Sequence, residues 1–539
     1  MRQRSPRRTS SGPGPERRWL TGAVGIVGVL VTWEVLAAAW LARRHLMPTP
    51  FSVVATLAHH PQLALWPNML ETMKEAAAGW LVGNAVAIVL ALLFVLVPFF
   101  EAVLLRVALA SYCIPVIALA PILDIVFSGV TPKATLAALA VVFTTLIGTM
   151  LGLRSADPTS LEIVRAYGGG TWAQLRRVRL RAAMPAMFAA LATAGPAAVL
   201  GAIVGEYLGG DSGLGVAMVN SEQGLEVSQT WAIAVVIGAL AGASYLLVSL
   251  LARYIVPWAA SEGTALRLAG PAGKFSADSR PLFRVGRALL FTLLSLVVML
   301  GIWQGFIYAF HLNPFFAKGP TDVYSYLFQS YGAVANRNQL LSALLTTLRD
   351  TALGYVAGTI VALVLAPLVV LSRGFEQTFM PIAMILRSVP LIAMTPLLIL
   401  FFGRGLVAVT VIAGVVTFFP TLVNVVFGLR SASPLSRDLV LAYGAGPTMT
   451  LRKIRLPYAL PALFASARIA APGALLGAVV AEWLATGQGL GYQMLEAADT
   501  SNFDFLWAGV VVITLVAVGL YNAIGVLERT VLVRYNMVS

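Results

Sequence analysis

Cysteine, histidine and charged side chains are scarce in this 539-residue chain. Charged residues make up 11% of it and hydrophobic residues 59%, whereas soluble domains contain about 25% charged residues. This composition excludes an ordinary soluble enzyme and a disordered chain. The single cysteine, Cys113, excludes an intrachain disulfide and a cysteine-based metal site, and the four histidines form no HExxH pair. We therefore expect no metal site, no cofactor and no catalytic residue in this chain.

Long apolar segments fill most of the sequence, whose mean hydropathy is +0.85. A membrane-spanning helix needs about 20 apolar residues, and two sets of such segments are present. The first set is predicted near 19–41, 75–99, 102–128, 134–152, 186–209 and 230–252. The second set is predicted near 286–310, 348–371, 376–402, 406–427, 462–485 and 506–528. The predicted fold class is an all-α polytopic membrane protein of about twelve transmembrane helices.

Proline and charge refine this prediction. Pro115 and Pro121 in the third segment, and Pro390 and Pro396 in the ninth, should break or kink those helices.

The net charge of +14 is concentrated in basic clusters between apolar segments. Such clusters are typical of a membrane protein, whose orientation they set, and not of a protein that binds nucleic acid. Basic clusters lie on the cytoplasmic side of membranes, so both termini are expected there. These basic segments are 1–18, 153–185, 253–287 and 429–461.

The chain is a tandem repeat. The sequence 153–215 aligns without a gap to 429–491, and about half of the aligned residues are identical. Like-oriented repeats are related by an axis along the membrane normal, with a pathway between them. The predicted organisation is a basic arm that can contact anionic lipid (1–18), a first unit (19–253), a polar linker (254–285) and a second unit (286–539).

The most similar block of the two units is polar and basic. It covers 162–185 in the first unit and 438–461 in the second. Both copies predict a short amphipathic helix, a glycine-rich break and a basic helix that returns to the membrane. From the residues alone, two interpretations stay open: a helical peg for a partner's groove, or a loop anchored by arginines at the membrane surface.

This block resembles the EAA motif of the permease subunits of bacterial ABC importers. That motif has an acid, a glycine six residues later and an Ile/Val-x-Leu-Pro ten residues after the glycine. The first copy has Glu162, Gly168 and Val178-Arg179-Leu180, with Arg181 in place of proline. The second copy has Asp438 for glutamate, Gly444 and Ile454 to Pro457, and in both copies the alanines after the acid are replaced.

The resemblance implies a type I ABC importer transmembrane fold in a bacterial inner membrane, with two permease units fused. It implies two copies of a cytoplasmic ABC ATPase subunit and an extracytoplasmic solute-binding protein as partners. The chain has no GxxxxGK[ST] phosphate loop, so ATP hydrolysis is expected on the ATPase subunits. The resemblance assigns the ATPase contact to Glu162, Ala166, Tyr167, Gly168, Gly170, Asp438, Ala442, Tyr443, Gly444 and Gly446.

A further likeness is to the nitrate, sulfonate and taurine permeases. It rests on Arg387-Ser388-Val389-Pro390, on Gly477-Ala478 through Glu482-Trp483, and on Gly489-Leu490-Gly491. A small polar or anionic solute is therefore expected. The candidate pathway residues are Cys113, Pro115, Asp124, Arg387, Ser388 and Pro390.

Some of these residues allow a second interpretation. Arg387 could attract an anionic solute or extend to the membrane interface, and the latter is favoured. Glu206 and Glu482 occupy equivalent positions in the two units. A membrane acid is a functional candidate, but local hydrogen bonding that holds the Gly-Leu-Gly loop is favoured here. The alternative function is a secondary transporter driven by an ion gradient, which would need no matched cytoplasmic pegs.

Overall fold

The computed structural model describes most of the chain. The described residues are 27–28, 31, 33–35, 37–38, 48–59, 65–114, 119–120, 123–124, 126–127, 129–224, 226–260, 281–377, 379–380, 395, 398–399 and 401–534. Regular structure within this part is helical throughout, which confirms the all-α prediction.

Each unit contains long helices joined by short ones. The helices of the first unit are α1 (Pro50–His59), α2 (Leu65–Leu96), α3 (Pro98–Cys113), α4 (Thr131–Arg154), α5 (Pro158–Ala166), α6 (Thr171–Gly209), α7 (Leu214–Gln223) and α8 (Val227–Ile255). Those of the second are α9 (Pro281–Ala309), α10 (Pro320–Tyr324), α11 (Ala333–Leu371), α12 (Leu406–Arg430), α13 (Pro434–Ala442), α14 (Pro447–Leu484), α15 (Gly489–Asp499) and α16 (Phe503–Arg534).

Nine helices in the described residues are long and apolar enough to cross a membrane. They correspond to nine of the twelve predicted segments, so the chain is a multi-pass membrane protein. The other three predicted segments, 19–41, 102–128 and 376–402, lie partly outside the described residues. Within 102–128, helix α3 ends at Cys113 and Ile114 is extended, next to the expected break at Pro115.

Four helices begin ten or more residues before their predicted segments. Two of them, α6 and α14, begin at Thr171 and Pro447 because the predicted basic helix is continuous with the membrane span. Helix α2 begins at Leu65 instead of near 75, and α11 begins at Ala333 instead of near 348. The added turns contain polar residues such as Asn336, Arg337 and Gln339. A hydropathy criterion stops at these residues although the backbone hydrogen bonding of the helix continues through them.

The same three helices form the centre of each unit. Helix α4 packs against α2 and α6, and α12 packs against α11 and α14. Glycines let these backbones touch: a Cβ on Gly83 would lie 2.7 Å from the Ala138 carbonyl oxygen, and one on Gly358 would lie 3.0 Å from the Gly414 Cα. Small residues allow this close packing in membranes.

The two units meet along α3. This helix packs against α9 and α16 of the second unit, and the Ser295 hydroxyl on α9 donates a hydrogen bond to the Val103 carbonyl oxygen at 3.0 Å. Cys113 shares one apolar core with Leu475 and Phe505 of the second unit. The units therefore share a continuous core.

Helix order defines two ends of the molecule. Helix α4 runs toward α5 and α6 runs away from it, so the α5 and α13 segments lie at one end, which we call the peg end. The opposite end, which we call the loop end, carries the turns between α6 and α7 and between α14 and α15.

We predict that Gly83→Ala destabilises the protein, because the added methyl group meets backbone atoms of α4 that cannot move aside. Overpacking of this kind costs about 1–3 kcal/mol. The control is Gly242→Ala on α8, where a Cβ meets no atom within 4 Å. Thermal unfolding in detergent should give a lower midpoint for Gly83→Ala only. Equal midpoints would contradict direct backbone contact at Gly83.

Candidate functional site

A short exposed helix stands at the peg end of each unit. We call 157–170 the first peg and 433–446 the second peg. Helices α5 and α13 both have proline at their first position, where no backbone N–H is needed. The Asp157 carboxylate accepts hydrogen bonds from the Ser160 N–H and hydroxyl, both at 2.9 Å. These bonds lower the pKa of Asp157 below its ordinary value.

In both pegs a left-handed glycine follows the short helix. The φ angles are +76° at Gly168 and +78° at Gly444, a region that side chains rarely adopt. The next N–H closes the turn, with a Gly169 N to Val164 O distance of 2.8 Å in the first peg. This geometry confirms the predicted sequence of helix, glycine break and second helix.

All ten residues that the resemblance assigned to an ATPase contact are exposed. Tyr167 is 89% exposed and Tyr443 is 86% exposed. Apolar side chains beside them, such as Ile163 and Leu439, are also exposed. The two pegs thus carry matching aromatic and aliphatic surfaces that this chain does not cover.

The pegs are fixed to the membrane helices by polar contacts. The Gln174 side-chain amide on α6 donates to the Leu161 carbonyl oxygen on α5 at 3.3 Å. Arg154, the last residue of α4, forms an ion pair with Glu101 of α3. The same pair recurs in the second unit, where Arg430 Nη2 lies 2.7 Å from Glu376 Oε2. Both pegs therefore start from a helix end that is held in place.

At the loop end, Glu206 of the first unit binds the Gly-Leu-Gly turn. The Gly215 N–H donates to Glu206 Oε2 at 2.7 Å, and the Leu214 N–H donates to the Thr72 hydroxyl of α2 at 3.0 Å. Gly213 adds an N–H bond to Asn68 Oδ1 at 3.1 Å. We call Thr72, Glu206 and the 213–215 turn the first loop clamp.

The second unit repeats this arrangement. The Gly491 N–H donates to Glu482 Oε2 at 2.8 Å, and the Leu490 N–H donates to the Thr347 hydroxyl at 2.9 Å. The Thr347 hydroxyl in turn lies 2.9 Å from Glu482 Oε2. We call Thr347, Glu482 and the 489–491 turn the second loop clamp. Both acids therefore make the local hydrogen bonds favoured from the sequence.

Two candidate pathway residues lie in the described part. Cys113 is fully buried in the core shared by the two units. Asp124 Oδ1 lies 3.4 Å from Lys133 Nζ, and that amine also donates to the Gly209 carbonyl oxygen at 3.2 Å. Asp124 is thus engaged with a lysine of its own unit. The remaining candidates lie outside the described residues, and they are Pro115, Arg387, Ser388 and Pro390.

Sequence reasoning missed the partners of the clamp acids on α2 and α11. In the first unit these residues are Thr72 and the buried acid Glu75. Thr347 and the buried acid Asp350 occupy the equivalent positions of the second unit. Polar residues retained in both copies of an otherwise apolar helix were the available signal.

Comparison with known proteins identifies the repeat unit. The family model described as "Binding-protein-dependent transport system inner membrane component" matches twice, at 83–261 and 354–533. A probable ABC transporter permease of Haemophilus influenzae is 32% identical over 236 residues, which are 44% of this chain and 94% of that protein. One such relative is therefore about as long as one unit here.

Two further relatives have named substrates. A riboflavin transport system permease of Chloroflexus aurantiacus is 35% identical over 30% of this chain and 61% of its own length. A putative aliphatic sulfonates transport permease of Bacillus subtilis is 29% identical over 36% of this chain and 70% of its own length. These matches favour the importer permease over the gradient-driven alternative.

We predict that Asp157→Ala speeds amide exchange at Ser160 and in the first turn of α5, because the N-terminal capping bond is lost. The control is Ser433→Ala in the second peg, where the side chain makes no capping bond. Hydrogen exchange followed by mass spectrometry should show faster exchange in α5 only. Because the folded pKa of Asp157 is lowered, the cap should persist at neutral pH and be lost as pH falls through that pKa.

We also predict that Thr347→Val destabilises the second unit, since it removes the acceptor of the Leu490 N–H and leaves that group buried. An unsatisfied buried group costs about 1–3 kcal/mol. Thr359→Val is the control, because the Thr359 hydroxyl has no hydrogen-bond partner among the described residues. Thermal unfolding should separate the two variants, and equal midpoints would show that the clamp contributes no stability.

Proposed function

The chain belongs to the family of binding-protein-dependent transport system inner membrane components and is an ABC importer permease with two fused units, and we propose that its pegs couple it to two ATPase subunits. The observation that carries this proposal is the pair of exposed pegs. Each has a left-handed glycine, an exposed tyrosine and a supporting ion pair at its base.

The proposed mechanism is a mechanical one. Each peg is a coupling helix that lies in a cleft of one ATPase subunit, and the peg end faces the cytoplasm. Closure of the ATPase pair on ATP moves the pegs together. Because α4 and α6 flank the first peg directly, and α12 and α14 the second, peg displacement moves the central helices of both units. The units thereby turn from inward-facing to outward-facing, and an extracytoplasmic binding protein then delivers solute to the pathway between them, through which the solute passes inward.

The remaining assignments follow from the same proposal. The domains are the basic arm (1–18), the first unit (19–253), the linker (254–285) and the second unit (286–539), in a bacterial inner membrane with both termini in the cytoplasm. The solute class is small and polar or anionic, which is supported by relatives named for sulfonates and riboflavin. ATP hydrolysis takes place on the partner subunits.

We predict that cysteines placed on the pegs cross-link to the ATPase. Tyr167→Cys and Tyr443→Cys expose a thiol on each peg, and the native Cys113 is buried and gives little background. The control is Gln488→Cys, an exposed position at the loop end. After purification of the complex through a tag on this chain, a short reagent with a maleimide at one end and a photoactivated group at the other should join the ATPase to both pegs and not to position 488.

A second variant tests whether peg shape matters. Gly444→Val forces a branched side chain into a φ of +78°, and Gly129→Val imposes the same strain at the loop end, where φ is +66°. The Tyr443→Cys cross-link should be lost with Gly444→Val and kept with Gly129→Val. An ATPase that cross-links at position 488, or at neither tyrosine position, would overturn the proposed function.

A further inference from the structure

The first loop clamp contains a second buried acid. Glu75 lies on α2, one turn after Thr72, and is 3% exposed, while Glu206 on α6 is 1% exposed. The Thr72 hydroxyl and the Glu206 carboxylate bind neighbouring N–H groups of the same turn, and Glu75 Oε2 and Glu206 Oε1 are both buried without a hydrogen-bond partner among the described residues. An ionised carboxylate only accepts hydrogen bonds, so a bond between two carboxyl groups requires a proton on one of them.

The cations near this acid pair are engaged elsewhere. Lys74, the neighbour of Glu75, turns outward and pairs with Glu71 at 2.9 Å. Lys133 of α4 faces the pair, but its amine is bound to Asp124 and to the Gly209 carbonyl oxygen.

Most of the other titratable groups near the pair are acids, and the cation Arg404 of the second unit faces Glu222 of α7 and not the pair. Glu71 on α2 and Asp124 and Asp211 near the turn are all acidic. Glu222 of α7 accepts a hydrogen bond from the Tyr207 hydroxyl at 2.8 Å. Two full negative charges at the clamp would therefore be buried in contact without a cation of their own, which is costly.

In the second loop clamp, the acid at the position equivalent to Glu75 has an arginine beside it. Asp350 replaces Glu75, and Arg349 replaces Lys74. Arg349 Nη2 lies 2.9 Å from Asp350 Oδ1, and Arg349 Nε donates to the same oxygen at 3.0 Å. Asp350 thus has a cation bound directly to it. The two clamps share their hydrogen bonds to the Gly-Leu-Gly turn and differ in how the second acid is neutralised.

We propose that Glu75 and Glu206 share one buried proton, and that Glu75 is a positioning residue that holds the first loop clamp through Glu206. While the proton is present, Glu75 donates a hydrogen bond to Glu206, and the Glu206 carboxylate continues to accept the hydrogen bond from the Gly215 N–H. When the proton leaves, two negative charges meet, Glu206 is displaced and the first turn is released. The second clamp keeps its turn, because the Arg349–Asp350 pair needs no proton.

The proton itself is tested by infrared difference spectroscopy of the purified full chain in nanodiscs. A protonated carboxyl group has a C=O stretching band separate from that of carboxylates. At neutral pH, subtraction of the Glu75→Gln spectrum from that of the unmodified protein should show this band, and subtraction of the Asp350→Asn spectrum should not. The proposal is overturned if Glu75→Gln leaves the band unchanged or if the unmodified protein lacks it.

Release of the turn is tested with a matched pair of cysteines. Met218 on α7 and Met494 on α15 are equivalent and fully buried. Met218→Cys and Met494→Cys are labelled with a maleimide in separate proteins at increasing pH. Thiolate formation raises both labelling rates. The ratio of the two rates cancels this effect and reports release of the first turn relative to the second.

The expected ratio of the Met218→Cys rate to the Met494→Cys rate rises about tenfold on going to alkaline pH, equivalent to about 1.4 kcal/mol. With Glu75→Gln, whose side-chain amide still donates to Glu206 without a titrating proton, the ratio should stay constant. The inference would be refuted if the ratio does not change with pH when Glu75 is present, or if it rises equally in proteins that carry Glu75→Gln.

Discussion

Direct contact between helix backbones holds each unit together. At Gly83 and Gly358 the approach of α4 and α12 leaves no room for a side chain. Lipid chains are as apolar as leucine, so helices in a membrane associate through close packing rather than through removal of apolar surface from water. The pegs and the loop clamps both depend on this contact, because each is attached to one of the central helices.

The loop clamps obey a second membrane constraint, which is that buried backbone groups need partners. Gly215 and Gly491 lie in the first turns of α7 and α15, where backbone N–H groups have no acceptor within the helix, so these groups require acceptors from elsewhere. Glu206 and Glu482 supply these acceptors, and the hydroxyls of Thr72 and Thr347 accept from the neighbouring Leu214 and Leu490 N–H groups. An acid near the end of a membrane helix is therefore explained here by the backbone that it serves.

The sequence predicted much of the fold because its strongest signals are local or repeated. Apolar length located nine spans, the repeat located two units, and the Gly168 and Gly444 positions located the ends of the peg helices. It did not predict the start of α11 at Ala333, since polar residues hide a continuing helix. It also missed Glu75, because only the packing of α2 against α6 brings that acid beside Glu206. Contacts between distant helices leave little trace in the hydropathy of either one.

Fusion of the two units has a consequence for where buried charges can lie. In an assembly of two identical chains, every buried charge must appear twice, related by the symmetry axis. Here the Asp124–Lys133 pair exists in the first unit alone, and Ile399 and Val409 stand at the corresponding places in the second. A single polypeptide can thus hold an ion pair in one unit where aliphatic side chains occupy the equivalent positions of the other, an asymmetry that a homodimer of one-unit chains cannot have.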